Sequence, residues 1–335
     1  MIDVAIDARV TPRMSAGTRA YLRELLARLP AVAGELRFAP VGSGANFGLD
    51  EQLRLPREIA RLRPRLVHYP TTFAPVVRRR PYVVTIHDLI HLRYPELFGR
   101  ATAVHYALVG RPLARGAARL LMGDERTAGD CARFFGVPRE RCRVVPLGYD
   151  AAMLEAVEPL ERARPFLLFV GNHRPHKDLP VLLGAWAALA PGVLLDVLLT
   201  GPDEPALRAR YARPGCEVRF LGELSPRELA RHYRSALAYV HPARCEGFGI
   251  PMLEAAVVGT PVIASDGAVP AIVARYASVF PAGDVRALGV LLKSLLADPA
   301  AARARAAEGV RPLRAYTWDR FAASTAAVYH EVLDG

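Results

Sequence analysis

Short apolar runs alternate along this chain with stretches whose apolar residues recur every three or four positions. Runs of the first kind read as strands, and stretches of the second kind as amphipathic helices. In the first half, residues 2–7, 36–41, 66–69, 82–86, 119–122 and 143–146 are predicted strands. A helix over 18–29 puts Tyr21, Leu22, Leu25, Leu26 and Leu29 on one face, and further helices are predicted near 97–113 and 126–135. In the second half, strands at 166–170, 194–200, 218–221, 238–241, 261–264 and 278–280 alternate with helices at 179–189, 226–235 and 251–258. A last helix over 318–333 carries Trp318, Phe321, Thr325, Val328, Tyr329 and Val332 on one stripe, with Thr317 placed to cap it. Alternation of this length predicts an α/β protein with parallel sheets. The charged stretch 155–165, with two prolines and no periodicity, is the expected linker.

Length and composition support that picture. A chain of 335 residues exceeds what one hydrophobic core organises, so two domains are expected. Hydrophobic residues make up 52% and charged residues 23%, a globular balance. No apolar run approaches the ~18 residues of a membrane span. Residues 1–8 carry Asp3 and Asp7 and read as a strand, not a signal peptide. The cysteines Cys131, Cys142, Cys216 and Cys245 are scattered, which argues against a disulfide framework or zinc site and makes the cytoplasm the expected compartment.

The net charge of +11 is uneven: residues 1–160 hold 24 Arg against 16 acids, and the remainder 20 basic residues against 17 acids. The basic first half is a solvated Arg-rich surface or faces an anionic partner. Arg78-Arg79-Arg80 and Arg111, Arg115 and Arg119 at i+4 spacing raise peripheral contact with an anionic membrane as an expectation. Of 44 basic residues only Lys177 and Lys293 are lysine, which hints that position 177 wants a compact ammonium.

Four segments carry candidate chemistry. In 246–266, Glu246 is separated from Glu254 by seven residues that include Gly247, Phe248, Gly249, Ile250 and Pro251. A glycine loop feeding a helix start lets backbone N–H groups approach an anion, and the helix dipole favours negative charge there. On this reading Glu254 lies in the first helical turn. The segment 171–179 follows a predicted strand, where α/β sheets place ligands, and it offers Asn172, His173, Arg174, His176 and Lys177. His87 and Asp88 follow another strand; they are a ligand-facing histidine with its neighbour, or a capping pair. Gly17, after Ser15 and before Thr18, presents backbone to a ligand or closes an ordinary turn capped by Thr18. No Asp-x-Asp pair is present to hold Mg²⁺ or Mn²⁺, so no metal site is expected, and no Walker A or GxSxG pattern occurs.

Taken together, Glu246 and Glu254 with the Gly247-Phe248-Gly249 core, Gly259-Thr260-Pro261-Val262, Ala264-Ser265-Asp266, the Gly171–Lys177 loop, Val145-Pro146-Leu147-Gly148 and Thr317-Trp318 resemble the family-4 retaining glycosyltransferases of the GT-B fold. The run from His87 to Phe98 resembles their bacterial mannosyltransferase-like branch, which builds surface polysaccharides. The resemblance implies two Rossmann-like domains facing each other across a cleft. An acceptor-side domain would cover 1–157, with a C-terminal helix over 317–333 crossing back to it, and a nucleotide-sugar donor domain would cover 164–312. It implies that Glu254 binds ribose hydroxyls, Glu246 the donor sugar, and Lys177 the donor phosphates. Phe248, Gly249 and Ile250 would offer backbone groups, His87 would bind a sugar hydroxyl, and Gly17 would lie near the phosphates. Where relatives carry an Arg, this chain has Asn172, with Arg174 the neighbouring cation.

The expected activity is retaining, metal-independent transfer from a nucleotide diphosphate sugar (GDP-mannose or a UDP-sugar) to a glycan, lipid-linked or small-molecule acceptor, without a nucleic-acid partner. A nucleotide-sugar epimerase on the same fold and a non-catalytic donor-binding subunit are the alternatives.

Overall fold

The computed structural model describes residues 1–11, 14–44 and 48–335. The chain divides into two compact units, Met1–Gly148 with Tyr316–Gly335, and Tyr149–Ala315. The expected linker 155–165 lies inside the second unit.

The first unit is built on β1 (Val4–Asp7), β2 (Phe38–Val41), β3 (Leu66–Tyr69), β4 (Tyr82–Thr85), β5 (Arg119–Met122) and β6 (Cys142–Val144). They form one sheet in the order β2-β1-β3-β4-β5-β6, with every pairing parallel. The second unit holds β7 (Phe166–Phe169), β8 (Asp196–Leu199), β9 (Val218–Phe220), β10 (Ala238–His241), β11 (Val262–Ser265) and β12 (Ser278–Phe280). Their order is β12-β11-β10-β7-β8-β9, again parallel throughout. Central strands such as β1, β3, β7, β8 and β10 are buried at every residue, as sheets covered on both faces require. This is why they read as continuous apolar runs in the sequence.

The helix Trp318–Asp334 belongs to the first unit. Thr317 caps it by accepting the Arg320 N–H at 3.2 Å. Tyr329 reaches His68 Nδ1 at 2.6 Å, and Phe321 packs edge-on against Tyr21 at 5.0 Å between centroids. Its start lies so close to the chain before the second unit that a Cβ on Gly148 would come within 2.3 Å of the Trp318 nitrogen.

The predicted helix over 97–113 is not one helix. A turn at Pro95–Leu97 is followed by Arg100–His105, the wider turn Tyr106–Gly110, and Arg111–Gly116. Pro112 has no N–H to continue the ladder, and the Arg111 N–H instead reaches back to the Tyr106 carbonyl. Arg111 and Arg115 share the last of these helices, but Arg119 lies beyond its end, so the row is not one helical face. Arg119 sits in β5 and pairs with Glu331, while Arg115 donates to the Phe135 carbonyl at 2.7 Å.

Candidate functional site

In the second sheet the chain runs outward from β7 through β8 to β9, then returns to β10 on the other side of β7. The connections leaving β7 and β10 therefore diverge. Such a switch point opens a crevice beyond the carboxyl ends of the two strands. The loops that follow them are 170–178 and 242–249, and these hold most of the predicted site.

The two loops are bolted together by Arg244. Its backbone N–H donates to the His176 carbonyl at 2.8 Å, and its Nε donates to the Asp178 carboxylate at 2.9 Å. Asp178 holds a left-handed backbone (φ 51°), uncommon for a residue with a side chain, directly after Lys177. Gly249 is also left-handed (φ 74°), and a Cβ there would lie 2.3 Å from the Met252 methyl. Glycine takes this conformation without strain as the loop turns into the helix Ile250–Val257, whose N-terminus has no side-chain cap. Pro251 has no N–H, and the Met252 and Leu253 N–H groups reach the Gly249 carbonyl, which leaves the Ile250 N–H for an outside acceptor.

Lys177 is buried, and its ammonium is ion-paired to Glu246. The same Glu246 oxygen, Oε2, lies 3.1 Å from His241 Nε2. Burial works against ionisation of this carboxyl, but the Lys177 ammonium and the His241 hydrogen bond hold it well below the usual carboxylate range. Glu254 has the opposite setting. Burial pushes its carboxyl up to about 7, against the opposing hydrogen bond from Tyr233, and nearby Asp150 adds to the rise. The Tyr233 hydroxyl donates to Glu254 Oε2 at 3.2 Å. Glu254 is the fifth residue of its helix and so lies in the second turn, not the first, because the helix begins at Ile250.

The other predicted residues of this unit are placed as follows. Asn172 and Arg174 are exposed, and Asn172 Oδ1 accepts the Arg174 N–H at 3.3 Å. Phe248 is buried, so it offers backbone and not its ring; Ile250 is half-buried. His173 is committed to structure, with Nε2 donating to the Thr200 carbonyl at 2.7 Å and Nδ1 against Glu204.

In the first unit, His87 donates to the Pro70 carbonyl and is touched edge-on by Tyr21 at 4.9 Å. Its Nε2 is buried with no hydrogen-bond partner among the described residues. Burial pushes the imidazole down to about 4, so the ring is neutral and Nε2 is a pure acceptor. Asp88 accepts the Ile90 N–H at 3.1 Å. Gly17 lies in the first turn of the helix Ala16–Val32, and a Cβ there would meet nothing nearer than Ser15 Oγ at 3.9 Å. The cap is Ser15, which accepts the Thr18 N–H at 3.1 Å, and not Thr18.

Sequence reasoning missed His241, Tyr239, Tyr233, Asp150, Arg244 and Asp178. His241 ends an apolar strand, the same position that drew attention to the segment at 171–179. The others reveal themselves only through tertiary contacts.

Residues 14–152 match the family profile described as Glycosyltransferase Family 4, and residues 164–298 the profile described as Glycosyl transferases group 1. The chain is 30% identical over 259 residues to a glycogen synthase of Mycobacterium tuberculosis, covering 74% of this chain and 63% of that one. It is 33% identical over 202 residues to a phosphatidyl-myo-inositol mannosyltransferase of Mycobacterium leprae, covering 56% and 53%. The chain thus spans less than two thirds of the length of these relatives. The fold matches that of Anabaena HepE, solved in complex with UDP, with a TM-score of 0.75 at 16% identity over 99% of this chain and 100% of that one. The chain belongs to the family-4 glycosyltransferases and has their GT-B fold.

Proposed function

We propose that this protein transfers a hexosyl group from a nucleoside diphosphate sugar to a glycan, lipid-linked or small-molecule acceptor, with retention at the anomeric carbon and without a metal ion. The carrying observation is the Lys177 ammonium, held by Glu246 beside an uncapped helix N-terminus at the second sheet's switch point. A diphosphate fits that combination of one cation with the Ile250 N–H and the backbone of the glycine loop before it. The UDP bound by the Anabaena relative supports the same reading.

In the reaction the bond from the anomeric carbon to the diphosphate breaks and the acceptor oxygen bonds to that carbon on the same face, its proton passing to the leaving phosphate. Negative charge gathers on that phosphate while the sugar becomes cationic. Lys177, the Phe248–Ile250 backbone and the helix N-terminus meet the phosphate charge. Ionised Glu246 accepts from sugar hydroxyls, and Glu254 accepts from the ribose once it ionises. In the first unit, His87 Nε2 is available to accept a hydrogen bond from a sugar hydroxyl, and Gly17 is proposed to offer its backbone to a phosphate. Among the exposed groups, Asn172 and Arg174 supply the outer polar contacts.

Thermal shift with UDP, GDP, ADP and dTDP tests the reading. A matching nucleotide at a hundred times its dissociation constant adds about 2.7 kcal/mol; no response to any of the four would remove the donor site. Incubating the nucleotide sugar with and without acceptor separates transfer from epimerisation, which consumes donor alone, and from donor binding without turnover.

A second reading concerns the first unit. A groove of about 480 Å³ has Ile59, Val67, Tyr69 and Val77 as its apolar lining and Arg57, Arg78, Arg79 and Arg80 around it. Guanidinium groups over an apolar floor favour peripheral contact with anionic lipid. Among the described residues no helix is long and apolar enough to cross a membrane. Liposome sedimentation with and without anionic lipid tests this contact, and equal partitioning would end it.

A further inference from the structure

His241, the last residue of β10, is 1% exposed, and both its ring nitrogens are engaged. Nε2 faces Glu246 Oε2 at 3.1 Å, and Nδ1 faces the Tyr239 hydroxyl at 2.7 Å. Tyr239 is itself fully buried, and its hydroxyl is 3.4 Å from the Val170 carbonyl at the end of β7. Burial lowers the His241 pKa, and with the Lys177 charge it outweighs the opposing hydrogen bond and charge of Glu246, so the neutral ring with one proton is favoured. Glu246 is an ionised acceptor, so that proton belongs on Nε2. Nδ1 is then an acceptor, and only the Tyr239 hydroxyl is placed to supply it.

The direction of the chain follows: Tyr239 donates to His241, and His241 donates to Glu246. Oε2 of Glu246 receives both His241 and Lys177, and no partner of Oε1 is found among the described residues. A buried network satisfied in this way holds one carboxylate rotamer and aims one oxygen.

We propose that His241, its tautomer fixed by Tyr239, is a positioning residue that pins Glu246 through Oε2 and reserves Oε1 for the donor sugar. This rests on Glu246 lying beside that sugar. The sequence signal is slight, a histidine five residues before the first glutamate, and the contact depends on the loop folding back over its own strand.

The test has two arms. In ¹⁵N-labelled unliganded protein, long-range proton–nitrogen spectra report which ring nitrogen carries the proton, with the His241 signals identified by their loss in His241→Gln. The expected result is Nε2–H in the native chain and a loss of that single tautomer in Tyr239→Phe. A proton on Nδ1 overturns the proposal. In the second arm, His241→Ala lowers kcat by about 10- to 100-fold, the range for a hydrogen bond to a charged group. His241→Gln, whose amide can still donate to Oε2, recovers most of that loss. Affinity for the nucleoside diphosphate that stabilises the native chain most stays unchanged in both variants, because Glu246 serves the sugar and not the nucleotide; a general collapse of the site would lower it. Full turnover in His241→Ala while Glu246→Gln is impaired overturns the positioning role. Full turnover in Glu246→Gln itself overturns the placement of the sugar, and the proposal with it.

Discussion

Each of the two sheets has a switch point, and the chain treats them differently. In the first sheet it lies between β1 and β3, where Arg9 bridges the loops that follow. Arg9 Nη2 donates to Asp7 at 2.6 Å and to the Phe73 carbonyl at 2.9 Å, and Nη1 donates to Glu51 at 2.9 Å. All three charged side chains are almost fully buried. In the second sheet Lys177 occupies the equivalent crevice, and among the described residues its side chain meets Glu246 alone. Four of the five guanidinium N–H groups are used in closing a structure, whereas the ammonium has one carboxylate partner for its three. A chain that uses lysine only twice among 44 basic residues places one of them at this crevice, as the proposed phosphate contact would require.

Arg9→Met should break the closed side of this comparison and have the largest effect. It leaves Asp7 and Glu51 buried together without their cation, and breaking a buried pair costs about 3–5 kcal/mol. Chemical denaturation would show the loss as a lower midpoint. Burial raises the Asp7 carboxyl, against the pull of Arg9, so proton uptake at Asp7 should return part of the stability at mildly acid pH. A midpoint within 1 kcal/mol of native (about a fifth to a third of the expected loss) would show that the cluster does not hold the crevice shut.

Lys177→Ala attacks the open side. Stability should change less, but kcat should fall about a hundredfold or more, as for removal of one preorganised donor at a developing charge. Near-normal turnover would mean that the leaving diphosphate is met elsewhere and that the two crevices do not differ in the way described.

How much of this was legible beforehand depended on the range of the interactions. Strand positions could be read because buried parallel strands are continuous apolar runs, and the loops at 171–178 and 246–249 because a strand end runs into glycine and charge. The Lys177–Glu246 pair spans 69 residues, and Tyr233 reaches Glu254 across 21, so no local pattern reports either. The break within 97–113 turned on one missing N–H at Pro112, and the position of Glu254 in its second turn turned on a helix start one residue before Pro251. Such details are settled by hydrogen-bond bookkeeping in three dimensions, not by periodicity.

The two glutamates sharpen the comparison within the second crevice. Glu246 is held ionised, whereas Glu254 titrates near 7 from an ordinary value of 4.5. The folded chain therefore binds the Glu254 proton more tightly than the unfolded chain, and stability from this group falls as pH rises from 4.5 to about 7. If Glu254 accepts the two ribose hydroxyls, as proposed, donor affinity should move the other way, since the carboxylate is the better acceptor. Between pH 6 and pH 8 the ionised fraction rises about tenfold, and calorimetric affinity for the nucleotide sugar should rise with it. Glu254→Gln should flatten that dependence; an unchanged slope would assign the titration to another group.

Gly17→Ala should have the smallest effect. The added methyl meets only Ser15 Oγ at 3.9 Å, and φ at Gly17 is not left-handed, so the fold does not demand glycine there. Alanine is the better helix former by up to about 1 kcal/mol, less in a first turn, so the melting temperature should hold or rise slightly. If the Gly17 backbone approaches the donor phosphates, the methyl should stand in their way, and donor KM should rise severalfold while stability does not fall. If KM is unchanged, the first sheet's crevice contributes no backbone to the donor, and its closed ion-pair cluster is structural alone.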